Sequence, residues 1–163
     1  MPGTEGKLTV ESRLREFVCD GVTRAIGAIG LGGMALIHTI DAPSHFVGGP
    51  DTWLGVMYVG LIVSSLLLAA GLIFNGHRRI WMATAGLTST VIGGFVLSRT
   101  VGLPGDTGDI GNWGEALGIA SLFVESSLVA LSVARLGRKR LQTSLGDVAA
   151  IGPGHTLRET MAV

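Results

Sequence analysis

The chain has 163 residues, of which 47% are apolar and 15% are charged, and its mean hydropathy is +0.53. This composition excludes an ordinary soluble domain and indicates a protein of the lipid bilayer. The formal net charge is zero, which excludes a global basic field, so no nucleic-acid partner is expected.

Four segments are long and apolar enough to cross a membrane, since about 30 Å of hydrocarbon takes roughly 20 helical residues. The connections between them are short, so successive helices are expected to pack as neighbours in an up-down-up-down bundle. The sequence therefore predicts an all-α, polytopic membrane protein with four transmembrane helices. Together they form a transmembrane domain over 21–135, followed by a polar tail over 136–163. The predicted spans are 21–40, 53–74, 80–98 and 116–134.

Residues 1–20 form an N-terminal segment that precedes the first span. In it, Leu14, Phe17 and Val18 recur at helical spacing, which predicts either a short amphipathic helix on the membrane surface or an extension of the first span. The segment is mixed in charge and the first span is too long for a signal peptide's apolar core, so no cleavable signal is expected. Cys19 is the only cysteine, which leaves no internal disulfide.

The first span carries many glycines, which weaken a soluble helix but let membrane helices approach one another closely. Ala28 and Gly32 are four residues apart, as are Ile29 and Gly33, so each pair lies on one side of the helix. This spacing predicts a helix-packing face. A nucleotide-binding loop would need a preceding strand and a following soluble helix, which the sequence lacks.

Basic residues are unevenly distributed around the spans. Eleven of the twelve Lys and Arg residues precede or open the first span, lie in the 75–79 loop or follow the fourth span, and only Arg99 lies on the other face. Because positively charged loops face the cytoplasm, both termini are predicted to be cytoplasmic, in a bacterial cytoplasmic membrane. Trp81 is expected at the inner membrane boundary, where aromatic rings concentrate.

Arg99 closes the third span on the face that the orientation rule keeps free of basic residues. Such a residue is expected to have a bonding partner. One interpretation is a structural tie to carboxylates and carbonyls of the loops, which the planar guanidinium group suits. The acidic side chains predicted for the same face are Asp41, Asp51, Asp106, Asp109 and Glu115.

Glu125 lies nine residues beyond Ala116, which at 1.5 Å per residue is roughly 13 to 14 Å below the start of the span and close to mid-bilayer. A carboxylate at this depth costs at least about 2.5 kcal/mol, so we expect it to be protonated, paired or directed at a polar cavity. We predict an outward-facing polar pocket in which Glu125 points toward Tyr58 or His38. The predicted pocket residues are His38, Tyr58, Ser98, Arg99, Ser121 and Glu125.

The stretch HTIDAPSHF places His38, Asp41 and His45 on one face if the first helix continues past Ile40. Two imidazoles and a carboxylate at this spacing are able to bind a metal ion. Pro43 weakens that interpretation, because proline fits poorly inside a helix. The alternative is a hydrogen-bonded cap in which the histidines contact Asp41, Glu115 or Arg99. The other spans contain no histidine, which disfavours a self-contained bis-histidine haem.

Several of these motifs also occur together in a family. The chain has HxxxAPSHF from His38, Tyr58 two residues before Gly60, SRTVGLP from Ser98, WxExLG from Trp113, and a glutamate at 125 in the fourth span. In these motifs it resembles a group of small bacterial four-helix membrane proteins without an established activity, over roughly residues 25 to 135. The resemblance implies a four-helix membrane fold and carries over no catalytic residue.

Two classes of function follow from the sequence. The first is a non-catalytic membrane component, either an accessory or scaffold subunit of a larger assembly or a self-associating bundle, and the glycine-rich first span favours it. The alternative is a small binding or transport protein whose outward pocket takes a metal ion, a proton or a small ligand. An intramembrane enzyme ranks third, because the sequence contains no complete set of catalytic groups at a matching depth.

Overall fold

The computed structural model describes residues 4–45, 52–105 and 107–150, and in this part of the chain the regular elements are helices, the last two of which are joined by turns over 101–105 and 107–115. A short 3-10 turn, Ala42–His45, follows the first helix, and no β-strand occurs within these ranges. The four α-helices are α1 (Thr4–Asp41), α2 (Thr52–Phe74), α3 (Arg78–Thr100) and α4 (Ala116–Ala150).

Each helix contains a stretch that is long and apolar enough to cross a membrane. This confirms the prediction of an all-α protein with four helices of membrane-spanning length. The apolar side chains that face away from the bundle, such as Phe74, Phe123 and Ile29, suit contact with lipid tails. The four stretches are Val10–Asp41, Trp53–Phe74, Arg78–Thr100 and Ala116–Arg138.

Two helices are longer than the predicted spans. The first is continuous from Thr4, without a break before Gly21, and the fourth continues to Ala150, into the segment predicted to be a polar tail. Both extensions are rich in Leu, Arg and Glu or Gln, which favour helix, and contain no proline. Helix propensity therefore extends these helices beyond the apolar stretches.

The core of the bundle lies where α1 packs against α2 and α4, and where α3 packs against α4. Each helix contributes to it, so the four helices share one apolar interior. The buried members of this core are Ala28, Leu31, Met34, Leu72, Trp81 and Leu128.

Two glycines of α1 allow close approaches between helices. A Cβ on Gly27 would lie 2.9 Å from both Leu72 and the Trp81 ring, and a Cβ on Gly30 would lie 2.8 Å from Leu128. Trp81 is fully buried by this contact, whereas the sequence predicts a boundary position for it. A tryptophan near a helix end can bury its ring completely when the facing helix has no side chain there.

Of the helix-packing face predicted from the small-residue spacing, only one residue packs in the core of the bundle. Ala28 is a core residue, but Ile29 is 74% exposed. Nothing lies within 4 Å of a Cβ built on Gly32 or Gly33. Close packing inside the bundle therefore uses Gly27 and Gly30, and the predicted pair Gly32 and Gly33 leaves open space beside α1.

Arg24 joins α1 to the end of α2. Its Nε donates a hydrogen bond of 2.6 Å to the carbonyl of Leu72, and its Nη2 donates to the carbonyl of Ile73. Carbonyls in the last turn of a helix lack helical partners and carry partial negative charge, so the guanidinium group satisfies both needs. The chain then turns at Gly76, whose φ of +55° favours glycine, and a Cβ there would lie 2.7 Å from the Arg24 side chain.

The glycine contacts make a prediction about stability. Gly27→Ala places a methyl group against two buried side chains, and overpacking of this kind costs about 1 to 3 kcal/mol. We expect the purified variant to unfold at a lower temperature than the wild type. Gly32→Ala is the matched control on the same helix, where the methyl group meets open space and helix propensity rises. Equal melting temperatures for the two variants would contradict the assignment of Gly27 as the packing glycine.

Candidate functional site

Polar side chains are buried at several levels of the apolar bundle, and three of them are ionisable. His38 is 8% exposed, Arg99 is 5% exposed and Glu125 is 1% exposed. Ionisable groups inside membrane helices are costly and mark functional sites by default. The remaining buried polar residues carry hydroxyl groups: Ser65, Thr84, Thr88, Ser98, Ser121 and Ser132.

One group of polar residues joins three helices, and we call it the central cluster. It consists of His38 and Asp41 on α1, Tyr58 on α2, and Ser121 and Glu125 on α4. The His38 Nε2 lies 4.0 Å from the Glu125 Oε1. The Tyr58 ring lies on the other side of the cluster, with its centroid 5.3 Å from that of His38.

The hydrogen bonds of His38 determine which ring nitrogen is available. Its Nδ1 lies 2.9 Å from the carbonyl oxygen of Met34, one turn earlier on α1. Because a carbonyl only accepts, Nδ1 must carry a hydrogen, and in the neutral ring Nε2 is then an acceptor. The nitrogen that faces Glu125 is therefore the one that can gain or lose a proton.

Glu125 is only partly satisfied within the bundle. The Ser121 hydroxyl, one turn earlier on α4, donates a hydrogen bond of 2.6 Å to its Oε1. The Glu125 Oε2 is buried and accepts no hydrogen bond from the residues that the structure describes. Buried polar atoms are rarely left in this state, since each costs about 1 to 3 kcal/mol when unpaired.

Tyr58 connects the central cluster to the end of α1. Its hydroxyl donates a hydrogen bond of 2.7 Å to the Asp41 Oδ2. Asp41 is the last residue of α1 and is half-buried. A chain of polar groups thus leads from a helix end, through Tyr58 and His38, to Glu125.

A second polar group, which we call the Arg99 cluster, lies where α3 ends. The Arg99 Nη1 pairs with Asp109 and its Nη2 pairs with Glu115. Its guanidinium carbon lies 4.9 Å from the centroid of the Phe95 ring, a cation–π contact. Phe95 in turn makes an edge contact with Trp113, with 6.1 Å between ring centroids. The guanidinium group thus contacts two carboxylates and one aromatic ring, while its buried Nε donates to no residue that the structure describes.

The chain after α3 folds back onto Arg99. The backbone amide of Gly111, whose φ of +81° favours glycine, donates a hydrogen bond of 2.9 Å to the Arg99 carbonyl. Trp53 at the start of α2 donates from Nε1 to the Pro104 carbonyl at 2.9 Å. Arg99 therefore fixes the connection between α3 and α4.

The six residues predicted for one pocket fall into these two groups. His38, Tyr58, Ser121 and Glu125 belong to the central cluster. Arg99 belongs to the second cluster, and the Ser98 hydroxyl donates to the Phe95 carbonyl of its own helix at 2.8 Å. The central cluster is enclosed by the bundle, and the cavities described for the chain lie elsewhere.

The metal interpretation depends on a side chain outside the described set. The side chain of His45 is not among those described, while His38 and Asp41 make the hydrogen bonds given above. Within the described residues, no group of three or more His, Cys, Asp or Glu side chains is placed to hold a metal ion. The set His38, Asp41 and His45 stays a prediction.

Sequence reasoning missed part of the buried polar set. Ser132, Thr84 and Trp81 are fully buried, and their hydroxyl or indole groups make no hydrogen bond to the described residues. One signal was present, because Ser132 lies seven residues after Glu125 and therefore on the same face of α4. Phe95 contacts the Arg99 guanidinium group. The sequence indicates this contact only in that Phe95 lies four residues before Arg99, one helical turn away.

Comparisons with known proteins add no functional assignment. No protein-family model matches the chain, and no curated protein and no solved structure matches it. The function must therefore be inferred from the two clusters themselves.

The Arg99 cluster predicts a stability difference between two substitutions. Arg99→Leu removes the cation from two carboxylates that are each 36% exposed, and also removes the cation–π contact with Phe95, so we expect a loss of about 1 to 2 kcal/mol in the free energy of unfolding. Arg99→Lys keeps the charge but not the planar fork, so we expect a smaller loss. The measurement is thermal unfolding in detergent, with proteolysis of the 101–115 connection as a local readout. The exposed Arg79→Leu variant is the control, and equal stability of Arg99→Leu and Arg79→Leu would contradict the structural role.

Proposed function

We propose that this protein binds a proton inside the membrane, between Glu125 and His38, as a small binding or transport protein. The observation that carries this proposal is the buried carboxylate of Glu125, one of whose oxygens accepts no hydrogen bond from the described residues while the other faces the His38 Nε2 at 4.0 Å. A proton is the smallest ligand that fits between the Glu125 Oε1 and the His38 Nε2.

The hydrogen-bond roles explain why a proton binds there. With Nδ1 donating to Met34, the neutral His38 ring presents an acceptor to Glu125, which as a carboxylate is also an acceptor. Two acceptors that face each other repel. One added proton turns the contact into an attraction, either between imidazolium and carboxylate or between carboxylic acid and imidazole. Low local polarity strengthens that attraction.

Access to this proton site is supported by the other half of the central cluster. The Tyr58 hydroxyl both donates and accepts hydrogen bonds, and it connects to the half-buried Asp41 at the end of α1. We infer that protons reach His38 from the end of the bundle at which Asp41 and the Arg99 cluster lie. At that end two carboxylates, Asp109 and Glu115, share the single cation of Arg99, and the excess negative charge attracts protons.

The orientation of the chain gives this site a direction. We infer an up-down-up-down bundle in a bacterial cytoplasmic membrane, with both termini in the cytoplasm. The support is the charge distribution, in which eleven of the twelve Lys and Arg residues fall on one face. In this orientation Asp41 and Arg99 lie on the outer side, so the Asp41 end of the central cluster is the end nearest the outside.

Cysteine labelling in whole cells tests the orientation. The single cysteine, Cys19, is exposed and lies on the inferred cytoplasmic side. We expect a membrane-impermeant maleimide to label it only after the cells are permeabilised. The reverse control is Cys19→Ser combined with Gly108→Cys, where nothing lies within 4 Å of the new Cβ. Labelling of Cys19 in intact cells would overturn the inferred orientation.

A second candidate function is supported by a different observation. Nothing lies within 4 Å of a Cβ built on Gly32 and Gly33 of α1, or on Gly93 and Gly94 of α3. Open glycine faces allow a helix of another chain to approach the backbone closely. This favours an accessory or scaffold subunit of a larger membrane assembly, or a self-associating bundle. The two candidates are compatible, since the central cluster faces inward and the glycines face outward.

Infrared difference spectroscopy of the purified chain in lipid tests the proton site. Spectra recorded between alkaline and acidic pH should show a change in the band of a buried carboxyl group, either a new carboxylic-acid band or a carboxylate band shifted by pairing with imidazolium, with uptake of about one proton per chain at this site. Glu125→Gln should abolish the band, and His38→Gln should shift it, because the ring nitrogen that faces the carboxyl is lost.

The matched control substitutes a carboxylate that is exposed to solvent. Glu16 is exposed on α1, so Glu16→Gln should leave the buried carboxyl band unchanged. If Glu125→Gln and the wild type give the same spectra, the proton proposal is wrong. Native mass spectrometry then decides the alternative, because co-purification with a larger membrane complex would favour the subunit function.

A further inference from the structure

A cavity far from the central cluster combines basic and apolar walls. It lies between α1 and α4, near the end of the apolar stretch of α4 at Arg138. Neither His38 nor Glu125 contributes to it. Its lining residues are Cys19, Thr23, Leu131, Ala134, Arg135 and Arg138.

The charges around this cavity leave positive charge uncompensated. Asp20 pairs with Arg135 and lies 3.8 Å from Arg24. Arg24 is further held by the carbonyls at the end of α2. Asp20 thus pairs with Arg24 and Arg135, and within the described part of the chain Arg138 forms no ion pair. An anion at this position is electrostatically favoured.

Hydrogen-bond donors are also available at the cavity. The Arg135 Nε is buried and donates to no residue that the structure describes. The Thr23 hydroxyl donates to the Cys19 carbonyl at 2.7 Å, so its oxygen remains an acceptor and the arginines supply the donors. Guanidinium groups bind phosphate oxygens through two parallel N–H groups.

We propose that this cavity binds the phosphate group of an anionic phospholipid. The apolar walls, Leu131 and Ala134, continue onto the lipid-facing surface of α4, where an acyl chain fits and a free anion gains nothing. The arginines lie where the apolar stretch ends, the depth at which phospholipid headgroups meet a transmembrane helix. This inference is independent of the proton site.

Native mass spectrometry of the full chain tests the proposal. The delipidated protein is titrated with phosphatidylglycerol and, separately, with zwitterionic phosphatidylcholine. We expect tighter binding of phosphatidylglycerol, and Arg138→Gln should weaken it about five-fold, the effect of one basic residue at a membrane surface. Arg79→Gln removes an exposed arginine outside the cavity and should leave the affinity unchanged. Equal affinity for the two lipids, or equal loss in the two variants, would overturn the proposal.

Cys19 provides a second readout, because it lines the cavity and is the only cysteine. In nanodiscs, phosphatidylglycerol should slow its reaction with a soluble maleimide relative to phosphatidylcholine, and Arg138→Gln should remove the difference. Inorganic phosphate distinguishes the source of the phosphate group. Protection of Cys19 by inorganic phosphate in phosphatidylcholine discs, with none from phosphatidylglycerol, would show a site for a free anion and contradict the lipid assignment.

Discussion

The hydrocarbon interior of a membrane offers no hydrogen bonds, so polar groups inside this bundle must find their partners within the protein. The two buried clusters meet that constraint differently. Arg99 has carboxylates on two of its nitrogens and an aromatic ring against its face, and these contacts hold the chain between α3 and α4. Glu125 has one serine hydroxyl and one nearby imidazole. Within the described residues, each cluster leaves one buried atom unpaired, the Arg99 Nε and the Glu125 Oε2, but Arg99 has two ion pairs to the chain that follows α3, whereas the nearest basic group to Glu125 is His38 at 4.0 Å. We therefore interpret Arg99 as a structural tie and Glu125 as the residue that takes a ligand.

The proton site follows from helix geometry as much as from residue type. His38 and Ser121 are each hydrogen-bonded within their own helix. The His38 Nδ1 donates to the Met34 carbonyl one turn earlier, and the Ser121 hydroxyl donates to Glu125 one turn later. These local bonds orient the side chains before the helices meet. Packing of α1 against α4, with Gly30 under Leu128, then brings the imidazole to the carboxyl group. The close approach at Gly30 and the proposed proton-binding pair thus depend on the same contact between helices.

Hydropathy predicted the membrane helices well, because crossing hydrocarbon demands length and apolarity. The second predicted span begins one residue after Thr52, and the fourth begins at Ala116, as α4 does. The ends of α1 and α4 were not predictable in this way, since a helix keeps its backbone bonds after it leaves the apolar stretch. Helical rise predicted that His38 and Glu125 both lie in the outer half of the bundle, but rotation about each axis is set by tertiary packing. The rotation of α3 directs the Ser98 hydroxyl to a carbonyl of its own helix. The same rotation directs the Arg99 side chain to Asp109 and Glu115 in the connection that follows.

The most direct test of the account follows the two groups of the proton site separately in a lipid bilayer. Solid-state NMR of the full chain would record the carboxyl-carbon shift of Glu125 and the ring-nitrogen shifts of His38 as pH is varied. We predict that both signals change over the same pH interval, with His38 Nδ1 remaining protonated throughout because it donates to Met34. A Glu125 carboxyl signal that stays constant while His38 titrates alone would contradict proton binding between the two residues.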